Sequence, residues 1–169
     1  RGSVTIEGRR FLDIRLKYDI YNDQILAINE RNIIIQVNKE MVDSFSLDYN
    51  NRTYRFGKVD IDSIDNPRGY VNVLCDGPLT LIVGYRKEIL LHAVENIYDM
   101  FSQNQKVYLK KEGLYHPVTL RRALFRTFGE LKPEVKNYIR SNRLKISIKD
   151  PDSIVPAVRY YNSLISSKQ

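Results

Sequence analysis

The chain has no tryptophan, and among its 169 residues there are a single cysteine, two methionines and six prolines. With Cys75 alone, no intrachain disulfide can form, so the fold must stand on packing; that suits the cytosol and a bacterial periplasm equally. No run of residues approaches the roughly 20 apolar positions that a membrane-spanning helix needs. The longest apolar runs, such as residues 79–83, are strand-sized. There is no glycine-rich phosphate loop, no CxxC and no HExxH, which removes the usual support for nucleotide hydrolysis and for zinc hydrolysis. No cofactor is expected. The start Arg1-Gly2-Ser3 has neither an initiator Met nor an apolar stretch, as fits either signal cleavage or a cloning boundary.

What is present is a globular composition, 43% apolar and 28% charged, long enough for one full domain or a domain with a small subdomain. The net charge of +7 is unevenly spread. Residues 1–101 carry 13 basic and 15 acidic side chains, a net of −2, whereas residues 102–169 carry 14 and 5, a net of +9. A basic C-terminal region of this kind favours an anionic partner, against the plainer reading of a solvated helix surface.

Residues 1–118 read as an antiparallel β-rich domain. Leu12, Ile14, Leu16 and Tyr18 alternate with polar residues at the period of a half-buried strand. Gly8 turns the chain into it from a short strand at Val4-Thr5-Ile6. Further strands are expected at 24–28, 33–37, 42–47 and 52–56, the last two joined through Tyr49-Asn50-Asn51. Asp76-Gly77-Pro78 marks a hairpin between 70–75 and 79–83, with a break at Gly84 before a strand at 85–91. Residues 93–104 fit either a helix or an irregular crossover. A final hairpin turns at Glu112-Gly113, between 106–110 and 115–118. Strands so closely spaced, without helices between them, predict an antiparallel β-meander, a curled sheet or partly open barrel.

Residues 119–169 read as a basic helical segment packed on that sheet, giving an α+β fold with about three short helices. Leu120, Ala123, Leu124, Thr127 and Phe128 share one face of the first helix, with Gly129 at its C′ position. Pro133 suits the first turn of the second, whose buried stripe would be Val135, Tyr138 and Ile139. For the third, Ser153 is the expected N-cap, placing Pro156 at N3, with Ile154, Val158, Tyr161 and Ile165 facing inward.

Several patches form an ordered set: Leu16-Lys17-Tyr18-Asp19-Ile20-Tyr21-Asn22-Asp23, Gly69-Tyr70 running into Leu74-Cys75-Asp76-Gly77, Tyr138-Ile139-Arg140-Ser141-Asn142-Arg143-Leu144, and Tyr160-Tyr161-Asn162-Ser163-Leu164. Together they resemble a family of uncharacterised Bacteroidetes-type exported proteins. The resemblance covers most of the chain, carries no catalytic motif, and implies a signal-cleaved periplasmic or secreted protein of unknown function. The strongly basic stretch 120–143 departs from that pattern.

Three constellations bear on chemistry. Cys75 with His92 or His116 has the residue types of a thiol–imidazole pair, but a small hydrophobe before a turn is the ordinary role for such a cysteine. Asp60, Asp62, Asp65 and Asn66 bunch oxygens in one polar loop, yet Ile64 stands where an EF-hand spacing requires a ligand, so a solvated acidic turn is preferred and no metal is expected. The sharpest feature is the recurrence of Arg121, Arg122, Arg126, Lys132, Lys136, Arg140, Arg143 and Lys145, interleaved with Phe125 and Tyr138. Cations so spaced can neutralise phosphates, and aromatics can stack on bases. The reading favoured from sequence is a non-enzymatic binding module that contacts another macromolecule, protein or anionic surface. The alternatives are a binder of nucleic acid or another anionic polymer through the 121–145 face and, more weakly, a hydrolase with unrecognised carboxylates.

Overall fold

A computed structural model describes residues 1–59, 69–94 and 98–167. The strands are β1 (Gly2–Ile6), β2 (Arg9–Asp19), β3 (Gln24–Ile28), β4 (Ile34–Gln36), β5 (Val42–Tyr49), β6 (Arg52–Val59), β7 (Gly69–Cys75), β8 (Leu79–Val94), β9 (Tyr98–Lys111) and β10 (Leu114–Pro117). The helices are α1 (Arg121–Thr127), α2 (Lys132–Ser141) and α3 (Val155–Ser166). The α+β class holds: ten antiparallel strands form a sheet that does not close, and the helices follow it.

The strand order is β10-β9-β8-β7-β6-β5-β1-β2-β3-β4, so the expected meander is broken once. After β4 the chain passes through a 3-10 turn at Lys39–Met41, where the Asn38 side chain accepts from the Glu40 amide, and β5 pairs with β1. Strand lengths explain the jump. β4 has three residues and cannot satisfy the eight of β5, while β1 offers five paired positions. Close approach on that side also needs a glycine, since a Cβ on Gly2 would stand 1.9 Å from the Ser46 carbonyl oxygen.

The turns follow their sequence chemistry. Asn50 and Asn51 take φ of 50° and 57°, and Glu112 and Gly113 take 51° and 80°, the paired positive φ of two-residue hairpin loops. Two strand expectations fail for local reasons. Asp13 sits at φ 57° beside a register shift in the β1–β2 ladder, so a bulge rotates the preceding residues outward and Leu12 is 65% exposed rather than inward. Gly84 makes no break, because its φ is not positive and β8 runs through it for 16 residues. Residues 93, 94 and 98–104 are neither helix nor irregular crossover; they belong to β8 and β9. The stretch 60–68 lies outside the described residues.

Among the described residues the chain forms two compact units. The first comprises 1–59, 69–72, 84–94 and 98–105. Its core joins Val4, Leu16, Ile25, Val42, Phe45, Phe56 and Tyr70. Phe45 and Phe56 stack with ring centroids 4.7 Å apart, and Tyr18 meets the edge of Phe45 at 5.2 Å.

The second unit comprises 73–83 and 106–167. Leu79, Leu81, Val83 and Leu109 of its strands and Leu124, Phe128, Val135, Ile154 and Val158 of its helical part are all buried. The tie between α3 and β8 is specific. The Leu79 amide donates to Asn162 Oδ1 and Asn162 Nδ2 donates to the Leu79 carbonyl, each at 2.9 Å, so a side-chain amide completes the strand's pairing. A Cβ on Gly77 would come within 2.5 Å of that amide.

The helical expectations are corrected in detail. Ser153 does not cap α3. A 3-10 turn at Pro151–Ile154 leads into the helix, Ile154 occupies the cap, and the Ser153 hydroxyl instead donates to Asp150 and accepts from the Ser147 amide. Pro156 still falls in the first turn, where a missing N–H costs little. Ile154, Val158 and Tyr161 are buried as expected, while Ile165 is half-buried. Among the described residues no helix is long and apolar enough to cross a membrane.

Candidate anion-binding site

The first turn of α1 and the last turn of α2 meet around one open pocket of about 540 Å³, lined by Arg121, Phe125, Lys136, Ile139, Arg140, Arg143 and Leu144. Helical spacing brings these side chains together. Arg121 and Phe125 are four residues apart on α1, as are Lys136 and Arg140 on α2, so each pair shares a helix face. Arg143 and Leu144 reach the pocket because α2 ends in a tight reversal. The Leu144 amide donates to the Ile139 carbonyl at 2.9 Å and the Arg143 amide to the Arg140 carbonyl at 3.1 Å, the bond pattern of a Schellman cap. In that cap Arg143 holds φ of 51°, a conformation that favours glycine. The pairing of Ile139 with Leu144 is the apolar contact such a cap brings, and here it forms part of the pocket floor.

Four of the eight residues singled out in the sequence therefore converge: Arg121, Lys136, Arg140 and Arg143. Arg122, Arg126, Lys132 and Lys145 are exposed but lie outside that lining. The pocket has no carboxylate in its lining, and among the described residues none of the eight forms an ion pair. The Arg121 guanidinium and the Lys136 ammonium lie over the Phe125 ring, 6.0 and 5.5 Å from its centroid. Each cation thus gains a cation–π contact with the same ring.

The aromatics play a different part from the one their spacing suggests. Phe125 packs against Phe128 at 6.0 Å in addition to carrying its two cations. Tyr138, placed in the buried stripe of the second helix, is only half-buried and lies parallel to Tyr160 at 4.1 Å, stitching α2 to α3. Val135 and Ile139 make up the buried stripe of α2.

The other constellations do not assemble. Cys75 is buried in β7, with its thiol 3.8 Å from the Asp76 carbonyl oxygen. His116 is exposed on β10, three strands away and so about 14 Å at the usual strand spacing. The side chain of His92 and the acidic loop of Asp60, Asp62, Asp65 and Asn66 lie outside the described residues. Among the described residues no group of three or more His, Cys, Asp or Glu is placed to hold a metal ion.

A polar knot in the first unit was not legible from sequence. Asp23 accepts from the Tyr18 hydroxyl at 2.7 Å and from Lys39 Nζ at 2.6 Å, and a Cβ on Gly69 would fall 2.6 Å from its carboxylate. Burial and the bond to Asp23 push the Tyr18 hydroxyl far above its ordinary value, and burial pushes Tyr70 up to about 12. Both hydroxyls are donors, Tyr18 to Asp23 and Tyr70 to the carbonyls of Lys39 and Val42. No family model, curated protein or solved structure matches this chain.

Proposed function

We infer that this protein is a binding module whose cationic pocket between α1 and α2 receives the anionic groups of a macromolecular partner. One observation carries the reading: four cations, three from two helices and one from the cap that ends α2, line a single pocket with no carboxylate in its lining. A merely solvated basic surface would disperse its charges to lower their repulsion. Here Arg143 is instead held at the pocket in a left-handed backbone conformation that a glycine would occupy more easily. The geometry thus favours the anion-binding alternative over a general protein-contact module. The periplasmic or secreted address is a separate proposal resting on the family resemblance alone, and fractionation of native cells tests it.

A fluorescently labelled thymidine oligonucleotide serves as a plain polyanion probe. If the four lining cations each neutralise a phosphate, the logarithm of the binding constant falls with the logarithm of salt concentration at a slope of about −3. Arg140→Gln flattens that slope by about 0.7. Binding indifferent to salt, or a slope unchanged in that variant, overturns the reading.

A further inference from the structure

The pocket is two-sided in chemistry. Its rim is cationic, but Phe125, Ile139 and Leu144 supply an apolar floor. A hydrated polyanion lying across the rim would satisfy the cations and leave that floor in water. Base stacking has little to work with, because Phe125 carries Arg121 and Lys136 and packs on Phe128, and Tyr138 is stacked on Tyr160.

A second exposed apolar residue adjoins the lining in sequence. Leu120 immediately precedes Arg121 and is 60% exposed. It occupies the N-cap of α1 without making any side-chain cap hydrogen bond. Serine, threonine, asparagine and aspartate are the residues that serve a helix at this position, and a leucine there contributes nothing to the helix end. Its isobutyl group gains free energy only when something apolar covers it.

Cations with an apolar floor between them and an exposed leucine alongside fit a lipid–water interface. There, anionic headgroups meet the Lys and Arg side chains while apolar groups reach the acyl boundary. Resting on the anion-site reading above, the geometry points to an anionic phospholipid surface as the partner. Headgroup phosphates sit among Arg121, Lys136, Arg140 and Arg143, and Leu120 enters the interface beside them. The one-sided charge of residues 102–169, 14 basic against 5 acidic, adds a longer-range attraction to the same surface.

The test is co-sedimentation of the full chain with equimolar phosphatidylcholine–phosphatidylglycerol vesicles, beside pure phosphatidylcholine vesicles and the thymidine oligonucleotide. The protein binds the mixed vesicles and not the neutral ones. Arg121→Gln combined with Arg140→Gln weakens vesicle binding about 30-fold, roughly fivefold for each cation near the surface. Leu120→Ser, which offers a capping hydroxyl and so spares the helix, weakens vesicle binding about fivefold and leaves oligonucleotide binding unchanged. If the oligonucleotide binds with the expected salt slope but the mixed vesicles do not, or if Leu120→Ser binds vesicles like the parent, the lipid inference is overturned while the anion site stands. If neither probe binds, both readings fall together.

Discussion

Arg143 offers the most direct test, because the fold and the proposed anion site make opposite demands on it. Its φ of 51° costs a residue with a Cβ about 1–2 kcal/mol relative to the right-handed conformation. The two cap bonds, from the Leu144 amide to Ile139 and from the Arg143 amide to Arg140, hold it there. Arg143→Gly removes the strain and gives back about 0.5–1 kcal/mol through the greater freedom of glycine in the unfolded chain. The net gain is then on the order of 0.5–1 kcal/mol, a rise of about 2 °C in Tm for a chain of this size. Arg143→Ala keeps the strain and loses the guanidinium, so it melts below the glycine variant. Both variants lose the same charge and flatten the salt slope of oligonucleotide binding by about 0.7. Thermal melts followed by far-UV circular dichroism, with anisotropy titrations on the same samples, separate the two effects. A glycine variant that melts at or below the alanine variant would falsify the strained-cap argument. One that keeps the parent's salt slope removes Arg143 from the binding site.

Three further outcomes follow from the packing. Asn162→Ala removes the side chain that pairs with both the amide and the carbonyl of the buried Leu79; a loss of about 2–4 kcal/mol is expected from urea unfolding, and an unchanged midpoint counts against the tie. Gly2→Ala forces a Cβ onto the Ser46 carbonyl, so amide hydrogen exchange should quicken across β1 and β5, at a cost of about 1–3 kcal/mol. The Tyr70 hydroxyl is raised from 10.0 to about 12 by burial. The unfolded chain therefore releases that proton first, and stability is full below pH 10 and falls between pH 10 and 12. Tyr70→Phe should reduce that alkaline loss without abolishing it, since Tyr18 is raised as well; a profile identical to the parent's would place Tyr70 outside the linkage.

Much of the sheet was readable because turn chemistry is local. Asparagine and glycine tolerate the positive φ of a tight hairpin turn, and the loops at Asn50-Asn51 and Glu112-Gly113 each pair the strands they join. Which strands become neighbours at a distance in sequence is another matter. The insertion of β1 between β5 and β2 depends on the missing side chain at Gly2 and on the shortness of β4, and neither leaves a periodic signal. The bulge at Asp13 was hidden for a related reason. An alternating pattern says which residues could share a face, and one extra residue in the ladder turns Leu12 out to solvent. The Asp23 knot joins residues 18, 23, 39 and 69, too scattered for any spacing rule to collect.

The basic site shows the same division between what composition reveals and what only geometry can. Charge asymmetry singled out this segment, and all eight of its cations lie exposed. Spacing alone could not choose among them, because Lys132, Lys136 and Arg140 recur every four residues yet only the last two line the pocket. The end of α2 adds what spacing could not show, since a left-handed residue there folds Arg143 and Leu144 back beside the final turn. A glycine at that position would have announced the turn and offered no charge. The arginine conceals the turn in the sequence and supplies a charge to the pocket, and this is why backbone strain and the proposed anion binding at residue 143 must be tested together.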